Sequence, residues 1–402
     1  MPGNYDYDIV TVGGGLGGAA LATVMAKHGA RVLVLERQVK FKDRVRGEAI
    51  HPWGVAELKA LGIFELLRDA CGHEVPFWDT YIGTERIEHR DYEATTPHQS
   101  PFLTFYHPEM QEVLLQAAAM AGAEVWRGAI ARNVKSGVNP TAVVEQNGET
   151  KEVYSRLVIG ADGRGSMVRK WGGFSVQRDP ERLLFAGVLF ENIPAPVDTL
   201  YAVVNPPVGR IAFLGNLGHG RVRAYLAYRK DADLRLQGSG GITRFIEESV
   251  KVGIPAEFFA AATAIGPLAI FEGANAWVEN PYRAGVALVG DAAATNDPSW
   301  GQGLSCTVRD VRLLRDQILT DDDWNIAGNA YAEEHDRYYK VIHTLENWFA
   351  DLFMEVGPAA DARRAKAFPL IAQDATRMPD LYGLGPAVPV NETVKRRLFG
   401  EE

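Results

Sequence analysis

The sequence predicts an α/β fold: a Rossmann-like dinucleotide-binding domain with an inserted antiparallel β-sheet domain and a C-terminal helical segment. Three observations predict it. A strand, a glycine-rich turn, a helix and a second strand follow one another within residues 7–36. Four β-rich segments separated by Pro, Gly and Asn fill residues 183–229. An apolar repeat with steps of four and three then begins at Tyr331, as expected for a long helix.

Composition and charge exclude several classes of protein. The chain has 402 residues, of which 47% are hydrophobic and 23% charged, as in ordinary globular proteins. A net charge of -9 without a basic stripe argues against a nucleic-acid partner. Cys71 and Cys306 form neither a disulfide framework nor a zinc spacing, so no metal site is expected. The acidic N-terminus and the lack of a long apolar run predict a cytoplasmic protein with no transmembrane segment.

The first motif is the glycine-rich turn that follows the first predicted strand, residues 7–12. Gly13, Gly15 and Gly18 have the G-x-G-x-x-G spacing. The first glycine allows the tight turn, the second lets backbone approach a pyrophosphate, and the third lets the helix pack on the sheet. Glu36 ends the second strand, where its carboxylate can accept hydrogen bonds from both hydroxyls of an adenosine ribose. Because an acid at this place disfavours a 2′-phosphate, the motif predicts NAD or FAD.

A second strand that ends in an acid lies in the stretch GVALVGDAAATNDPSWGQGL, residues 285–304. Asp291 follows the buried strand, where ligands bind in parallel sheets. The spacing from Gly301 onward is helical, so the loop leads to a second helix N-terminus with free N–H groups at Gly303 and Leu304. The carboxylate suits a sugar-alcohol hydroxyl, and the N–H groups suit a developing anion. We expect FAD rather than NAD, since the ribityl chain and isoalloxazine ring of FAD extend well beyond the pyrophosphate.

A third predicted strand also ends in an acid, in the stretch LVIGADGRGSMVR, residues 157–169. Asp162 follows this strand, Ser166 is predicted to cap a short helix, and Arg169 lies one turn into that helix.

The middle of the chain is predicted to be the substrate side. Residues 183–193, 199–205, 209–217 and 221–229 are predicted strands. In the last of them one face carries Arg221, Arg223 and Tyr225, and the other face is apolar; either face could meet the cofactor cavity. The stretch at 76–105 is rich in aromatic residues, poor in regular pattern, and expected to complete the pocket.

These patterns divide the chain into three predicted units. A discontinuous FAD-binding domain takes residues 1–72, 106–182 and 284–330. A substrate domain takes residues 73–105 and 183–283, and a C-terminal helical segment takes residues 331–402. The long helix of this segment is predicted either to cover the FAD domain or to form a dimer contact.

In order and spacing the three motifs resemble the class A flavoprotein monooxygenases, which are FAD-dependent oxidoreductases similar to para-hydroxybenzoate hydroxylase. The resemblance implies that Asp291 binds the FAD ribityl chain and that the loop from Pro298 to Leu304 lies beside the isoalloxazine. It also implies that Asp162 and Arg169 take part in flavin and nicotinamide binding. The cofactor-binding residues that follow from motif and resemblance together are Gly13, Gly15, Leu16, Gly18, Glu36, Arg37, Arg46, Gln111, Asp162, Arg169, Asp291, Pro298, Gly301, Gly303 and Leu304.

The resemblance also implies an activity. Members of this group hydroxylate or epoxidise small molecules through a flavin C4a-hydroperoxide, so we expect an NAD(P)H-driven monooxygenase that acts on an aromatic or polyketide-like compound. NADPH or NADH would be a transient electron donor, dioxygen the second substrate, and the protein a monomer or homodimer. The expected substrate pocket contains Arg223, Tyr225, Pro298 and Trp300, and the candidates for a general base are His51, His98 and His219.

Other functions of related folds remain open from sequence. These are a flavin-dependent reductase of isoprenoid double bonds, a flavin halogenase, an oxidase that uses no nicotinamide, and a flavoprotein that acts only as a redox-responsive binding partner. None of the eight tryptophans lies in the W-x-W-x-I-P stretch of the tryptophan halogenases.

Overall fold

A computed structural model describes residues 5–234, 236–237 and 240–402 of the chain. The first four residues, which belong to the predicted acidic N-terminus and to the first predicted domain, lie outside it. The strands are β1 (Tyr7–Val12), β2 (Val32–Glu36), β3 (Ala49–Ile50), β4 (Gly72–Val75), β5 (Phe77–Ile82), β6 (Glu85–Asp91), β7 (Phe102–Phe105), β8 (Glu124–Arg127), β9 (Ile130–Lys135), β10 (Thr141–Gln146), β11 (Glu149–Gly160), β12 (Gln177–Arg178), β13 (Leu183–Glu191), β14 (Thr199–Asn205), β15 (Arg210–Asn216), β16 (Arg221–Arg229), β17 (Thr263–Ala264), β18 (Ala269–Gly273), β19 (Ala276–Trp277), β20 (Tyr282–Arg283), β21 (Val286–Leu288) and β22 (Ala294–Thr295).

The helices lie mainly in the first and last thirds of the chain. They are α1 (Leu16–Lys27), α2 (Pro52–Leu61), α3 (Phe64–Ala70), α4 (Tyr92–Thr95), α5 (His107–Met120), α6 (Met167–Trp171), α7 (Gly241–Val252), α8 (Gly303–Thr320), α9 (Trp324–Phe349), α10 (Pro358–Gln373), α11 (Leu381–Leu384) and α12 (Glu392–Leu398). Within the described part of the chain, no helix is both long and apolar enough to cross a membrane.

The first sheet is the Rossmann-like unit that the sequence predicts. Its strand order is β20-β21-β11-β1-β2-β8, and all pairs from β21 to β8 are parallel. Val10 in β1 is paired with Val158 on one side and Leu33 on the other. Because parallel strands end at the same edge of a sheet, the turns after β1, β11 and β21 lie side by side. The three motifs that are far apart in sequence therefore meet at one edge.

Helix α1 packs against this sheet and against α5 and α8. Its close approach depends on the third glycine of the first motif. A Cβ atom on Gly18 would lie 1.9 Å from the carbonyl oxygen of Gly13 and 3.2 Å from the Ala161 side chain. Gly18 is therefore a packing residue, in agreement with the role that the spacing predicts for it.

The second sheet contains the four strands predicted between residues 183 and 229. Its order is β17-β13-β16-β15-β14-β5-β6, with β18 paired to β13. Most of its pairs are antiparallel, as expected, but β14 and β5 are parallel. Residues 76–105, whose sequence has little regular pattern, form β5, β6, α4 and β7. β6 lies at the edge of this sheet and most of its residues are exposed, so it carries no alternating apolar face that the sequence could reveal.

The two faces of β16 contact different parts of the molecule. Val222, Ala224, Leu226 and Tyr228 are buried in the hydrophobic core between the second sheet and α7. The opposite face, with Arg223, is turned toward residues 43–48 of the first domain. The polar face of this strand is therefore the one that meets the predicted cofactor region.

The C-terminal part is helical, but it begins earlier than predicted. Helix α9 starts at Trp324 rather than at Tyr331, and it packs along α8 and β20. The Tyr331 hydroxyl donates a 2.6 Å hydrogen bond to the carbonyl of Leu288 at the end of β21. The long helix thus covers the first domain, which is one of the two predicted arrangements. The predicted domain boundaries themselves stay a prediction.

Candidate cofactor and substrate site

A cavity of about 950 Å³ lies between the carboxyl edge of the parallel sheet and the second sheet. It extends from the first glycine motif, past the turn after β21, to an aromatic wall. The predicted site residues that line it are Gly13, Gly15, Leu16, Glu36, Arg37, Arg46, His51, Gln111, Asp162, Arg223, Tyr225, Asp291, Pro298, Trp300, Gly301, Gly303 and Leu304.

Four of the predicted residues do not line this cavity. Gly18 packs beneath Gly13, as described above. The guanidinium of Arg169 donates to the carbonyls of Ala292 (3.4 Å) and Arg164 (2.9 Å), so it supports the turns around the cavity. His98 and His219, two of the predicted candidates for a general base, are exposed residues outside the cavity lining.

The glycine motif leaves backbone open to the cavity where a pyrophosphate would bind. Gly13 has φ of +108°, and a Cβ there would lie 2.3 Å from the carbonyl oxygen of Ala161. A Cβ on Gly15 would contact only the side-chain nitrogen of Gln111, at 3.4 Å. Helix α1 begins at Leu16 with no side-chain cap, so its first N–H groups are free to bind an anion.

Glu36 lies at the same end of the cavity and is almost fully buried. One carboxylate oxygen accepts a 2.8 Å hydrogen bond from the N–H of Gly14, and the other accepts a 2.7 Å bond from the N–H of Gln38. These bonds fix the orientation of the carboxylate. Each oxygen has a second lone pair, so the group could still accept from the hydroxyls of a ribose.

The turn after β21 forms the middle of the cavity. The N–H of Gly290 donates a 2.8 Å bond to the buried carboxylate of Asp310, which also accepts from the Tyr338 hydroxyl. Gly290 has φ of +59°, and a Cβ there would lie 2.7 Å from the Thr307 hydroxyl. This turn places the Asp291 carboxylate at the cavity wall.

Helix α8 begins beside Asp291. Its cap residue, Gln302, provides no side-chain hydrogen bond, so the first N–H groups of the helix are not bonded by a cap. A Cβ on Gly303 would have only one neighbour within 4 Å, the Asp291 carboxylate oxygen at 3.9 Å. A carboxylate and an open helix N-terminus therefore line the same part of the cavity, as the sequence predicts.

Asp162 has a local structural role. Its oxygens accept hydrogen bonds from the hydroxyl of Ser166 (2.5 Å) and from the N–H groups of Met167 (2.7 Å) and Val168 (3.2 Å). The Ser166 hydroxyl in turn accepts from the N–H of Arg169, which confirms the predicted cap. Asp162 therefore orders the turn before α6 and also lines the cavity.

A buried ion cluster joins the two sheets at the cavity. Arg223 donates to Glu48 (2.6 and 2.9 Å) and to Asp43 (2.9 Å), and its side chain is 0% exposed. Burial raises the pKa of the Glu48 carboxyl above its ordinary value, and the nearby guanidinium of Arg223 offsets part of this shift. The Tyr225 hydroxyl donates to the carbonyl of Arg46 at 2.8 Å. Both predicted pocket residues of β16 thus position the segment that follows β2.

Two histidines on the cavity wall, His51 and His107, have lowered pKa values. Burial lowers the pKa of His51 to about 3, and burial lowers the pKa of His107 to about 4. Both rings are therefore neutral near pH 7. Nδ1 of His51 has no hydrogen-bond partner among the described residues, whereas Nδ1 of His107 lies 2.8 Å from the carbonyl of Gly47. His107 was not predicted, although it stands four residues before Gln111.

Two buried acids, Asp297 in the loop at 296–300 and Glu346 in α9 behind that loop, were not predicted from the sequence. Burial raises the pKa of Asp297 to about 6 and raises that of Glu346 well above its ordinary value. The Asn296 amide nitrogen lies 3.3 Å from a Glu346 carboxylate oxygen. Glu346 is on the apolar face of α9, and no local sequence pattern predicts that its carboxylate is buried.

Comparisons with known proteins agree with this geometry. A sequence profile of the family described as "FAD binding domain" matches residues 6–343. The chain is similar to squalene monooxygenase of Mus musculus, with 26% identity over 338 residues, which cover 79% of this chain and 55% of that protein. It is also similar to 6-methylpretetramide 4-monooxygenase of Streptomyces rimosus, with 26% identity over 331 residues, which cover 76% of this chain and 73% of that protein.

Among solved structures, p-nitrophenol 4-monooxygenase from Pseudomonas putida has a TM-score of 0.78 and 20% identity. The match covers 92% of this chain and 95% of that chain, and it shows a shared fold. The chain spans little more than half the length of the squalene monooxygenase it matches.

Proposed function

The chain belongs to the FAD-binding domain family, and we propose that it is an FAD-dependent monooxygenase that oxidises a small aromatic or polyketide-like molecule. The observation that carries the proposal is the continuity of one cavity. The same space borders the glycine motif, Asp291 and the N-terminus of α8 at one side and the aromatic side chains Phe185, Phe213 and Phe271 at the other.

The residues at the cavity fit FAD. Backbone at Gly13, Gly15 and Leu16 would bind the pyrophosphate, Glu36 the ribose, and Asp291 the ribityl chain. This assignment follows from the open backbone at Gly15, where a side chain would fill the cradle, and from the buried carboxylate of Glu36. When bound, FAD supplies the redox chemistry, with a reduced nicotinamide as the electron donor and dioxygen as the source of the transferred oxygen atom.

Several side chains and N–H groups of this chain would assist such a reaction. The N–H groups of Gly303 and Leu304 at the start of α8 stabilise negative charge that develops nearby. The apolar walls exclude water, which protects reactive species from side reactions. His51 is neutral near pH 7, so it would orient a substrate by hydrogen bonding rather than act as a strong base.

The second sheet supports a small-molecule substrate. Phe185 lies 4.9 Å from Tyr225 and 5.4 Å from Phe271, measured between ring centroids, and all three line the cavity. Aromatic walls with few polar groups suit a flat apolar ligand. Among the similar proteins, the monooxygenase named for 6-methylpretetramide supports this class of substrate, whereas squalene, in the name of another, is not aromatic.

The experiment that tests the proposal is turnover in ¹⁸O₂. The FAD-loaded protein is supplied with NADPH or NADH and a panel of phenols, naphthols and polyketide aromatics, and products are analysed by mass spectrometry. We expect one donor to be consumed faster with a substrate present and one ¹⁸O atom to appear in the product. Oxygen-independent consumption with a saturated product would instead identify a reductase and contradict the proposal.

A further inference from the structure

The end of the cavity opposite the glycine motif is completed by a segment near the C-terminus. Helix α11 carries Tyr382, which lines the cavity. The family profile ends at residue 343, so this part of the wall lies outside the region that the family match covers. The side chain is well placed to contact whatever occupies the aromatic end.

The segment that carries Tyr382 is fixed on both sides. Arg90 in β6 donates two hydrogen bonds to Asp380, at 2.9 and 2.7 Å, and Asp380 accepts a 2.9 Å bond from the N–H of Gly383. Gly385 has φ of +52°, and a Cβ there would lie 2.5 Å from the Trp53 ring. These contacts leave little freedom for the position of Tyr382.

Aromatic rings surround Tyr382. Its ring centroid lies 4.8 Å from Trp78, 5.0 Å from His51 and 6.5 Å from Phe102. Trp78 lies 6.4 Å from Phe213, which also lines the cavity. The rings of β5, β15 and α11 line an apolar site for a flat ligand, while Phe102 of β7 is fully buried and packs against Trp78 and Tyr382.

Few side-chain polar groups in the described part of this wall are without a partner. Trp78 donates to the Thr80 hydroxyl at 3.0 Å, and the Thr104 hydroxyl donates to the carbonyl of Asn216 at 2.6 Å. In contrast, the Tyr382 hydroxyl has no hydrogen-bond partner among the residues that the structure describes, and it is not fully buried. Nδ1 of His51 is also unpartnered. Because Tyr382 lines the cavity, its unpaired hydroxyl is available to a ligand at this end.

We propose that Tyr382 is a substrate-binding residue whose hydroxyl bonds to an oxygen substituent, a hydroxyl or a carbonyl, on an aromatic ring that packs against Trp78 and Phe213. This inference rests on the proposed function and narrows its substrate class to oxygenated aromatic compounds. Burial raises the pKa of the Tyr382 hydroxyl, which therefore stays protonated and available as a donor.

The test compares two ring probes that differ by one hydroxyl, 1-naphthol and naphthalene. Equilibrium dialysis measures the binding of each probe to the FAD-loaded full-length protein, to Tyr382→Phe and to Tyr154→Phe. Tyr154 is a matched control because it is 42% exposed and outside the cavity lining. Equal FAD occupancy in all three proteins shows that the variants are folded.

We expect the wild-type protein to bind 1-naphthol more tightly than naphthalene. Tyr382→Phe should weaken 1-naphthol binding about 3- to 10-fold, the usual effect of one neutral hydrogen bond, and should leave naphthalene binding unchanged. If Tyr382 had only a structural role, Tyr382→Phe would weaken the binding of both probes alike. Tyr382→Leu removes the ring as well, so it should weaken both.

The inference is overturned if the wild-type protein binds neither probe, shows no preference for 1-naphthol, or keeps its preference in Tyr382→Phe. Dialysis needs no turnover, so these outcomes are independent of the ¹⁸O₂ experiment. A protein that binds 1-naphthol through Tyr382 but incorporates no oxygen would contradict only the proposed function.

Discussion

Nη1 of Arg46 lies 3.6 Å from a carboxylate oxygen of Asp291 at the cavity. The pair joins the segment after β2 to the turn after β21, which belong to two different motifs of the sequence. Because the side chains are 42% and 30% exposed, the pair contributes at most about 1 kcal/mol to stability. Both side chains line the cavity.

Asp291→Ala should remove a ligand of FAD without unfolding the chain. Loss of a charge-assisted hydrogen bond weakens binding about 10- to 100-fold, and loss of the exposed pair with Arg46 costs little stability. Flavin affinity by fluorescence titration and the melting temperature of the FAD-free protein measure the two effects. Asp231→Ala serves as control, because it removes the partner of Arg229 in an ion pair away from the cavity whose side chains are 24% and 67% exposed. Full flavin occupancy in Asp291→Ala would refute the assignment.

Two glycines of the first motif should respond differently to substitution. A side chain at Gly15 has space, since its Cβ meets only Gln111 at 3.4 Å, so Gly15→Val should fold and lose FAD. A Cβ on Gly18 would lie 1.9 Å from the carbonyl of Gly13, so Gly18→Ala should cost at least about 1–3 kcal/mol of stability. Urea unfolding measures the stability of each variant, and flavin titration measures its affinity for FAD. Normal FAD affinity in Gly15→Val would remove this motif from the site.

Arg223→Met should destabilise the protein strongly. It leaves the Glu48 carboxylate buried without its partner, which costs about 3–5 kcal/mol. Adding Glu48→Gln removes the charge, so the double variant should recover part of that loss. Urea unfolding at neutral pH measures both. A loss below about 1 kcal/mol in the single variant would show that the cluster is not essential for joining the two sheets.

Asp297→Asn should change the pH dependence of stability. Burial raises the pKa of Asp297 from 3.8 to about 6, with Arg164 lowering it and Asp179 raising it. Between these two values the folded chain retains a proton that the unfolded chain has released, so stability falls as the pH rises through this window. Above this pH window, ionisation of the buried Asp297 lowers the free energy of unfolding by roughly 3 kcal/mol.

The variant lacks this ionisation, while its amide oxygen can still accept from the N–H of Ser299, which lies 2.9 Å from Asp297 in the wild type. It should therefore be more stable than the wild type near pH 8 and gain nothing near pH 4. Urea unfolding at a series of pH values measures the difference between the two proteins. A difference that is independent of pH would contradict the raised pKa.

Local patterns explain what could be predicted from the sequence. The glycine spacing and the acid at Glu36 report backbone constraints that act within a few residues, and the alternation in β16 reports one apolar face against α7. These features depend on neighbours along the chain. They allowed the parallel sheet, most of the second sheet and the lining residues around Asp291 to be predicted.

Contacts between distant segments explain the rest. His98 and His219 are chemically equivalent to His51, and only packing against Phe102 and Tyr382 distinguishes the buried ring. The carboxylate of Glu346 is buried because α9 packs behind the loop that contains Asn296. Tyr382 reaches the cavity through the pair between Arg90 and Asp380, which are far apart in sequence. No local pattern carries this information.

We propose that one cavity binds a redox-active flavin and a substrate together. It is tested most directly by the visible spectrum of the protein with FAD, recorded first with NADPH or NADH in the absence of oxygen and then after admission of air. We expect flavin bands that bleach with one donor and return with oxygen. A protein that cannot be loaded with FAD, or whose bound flavin is not reduced by either donor, would contradict it.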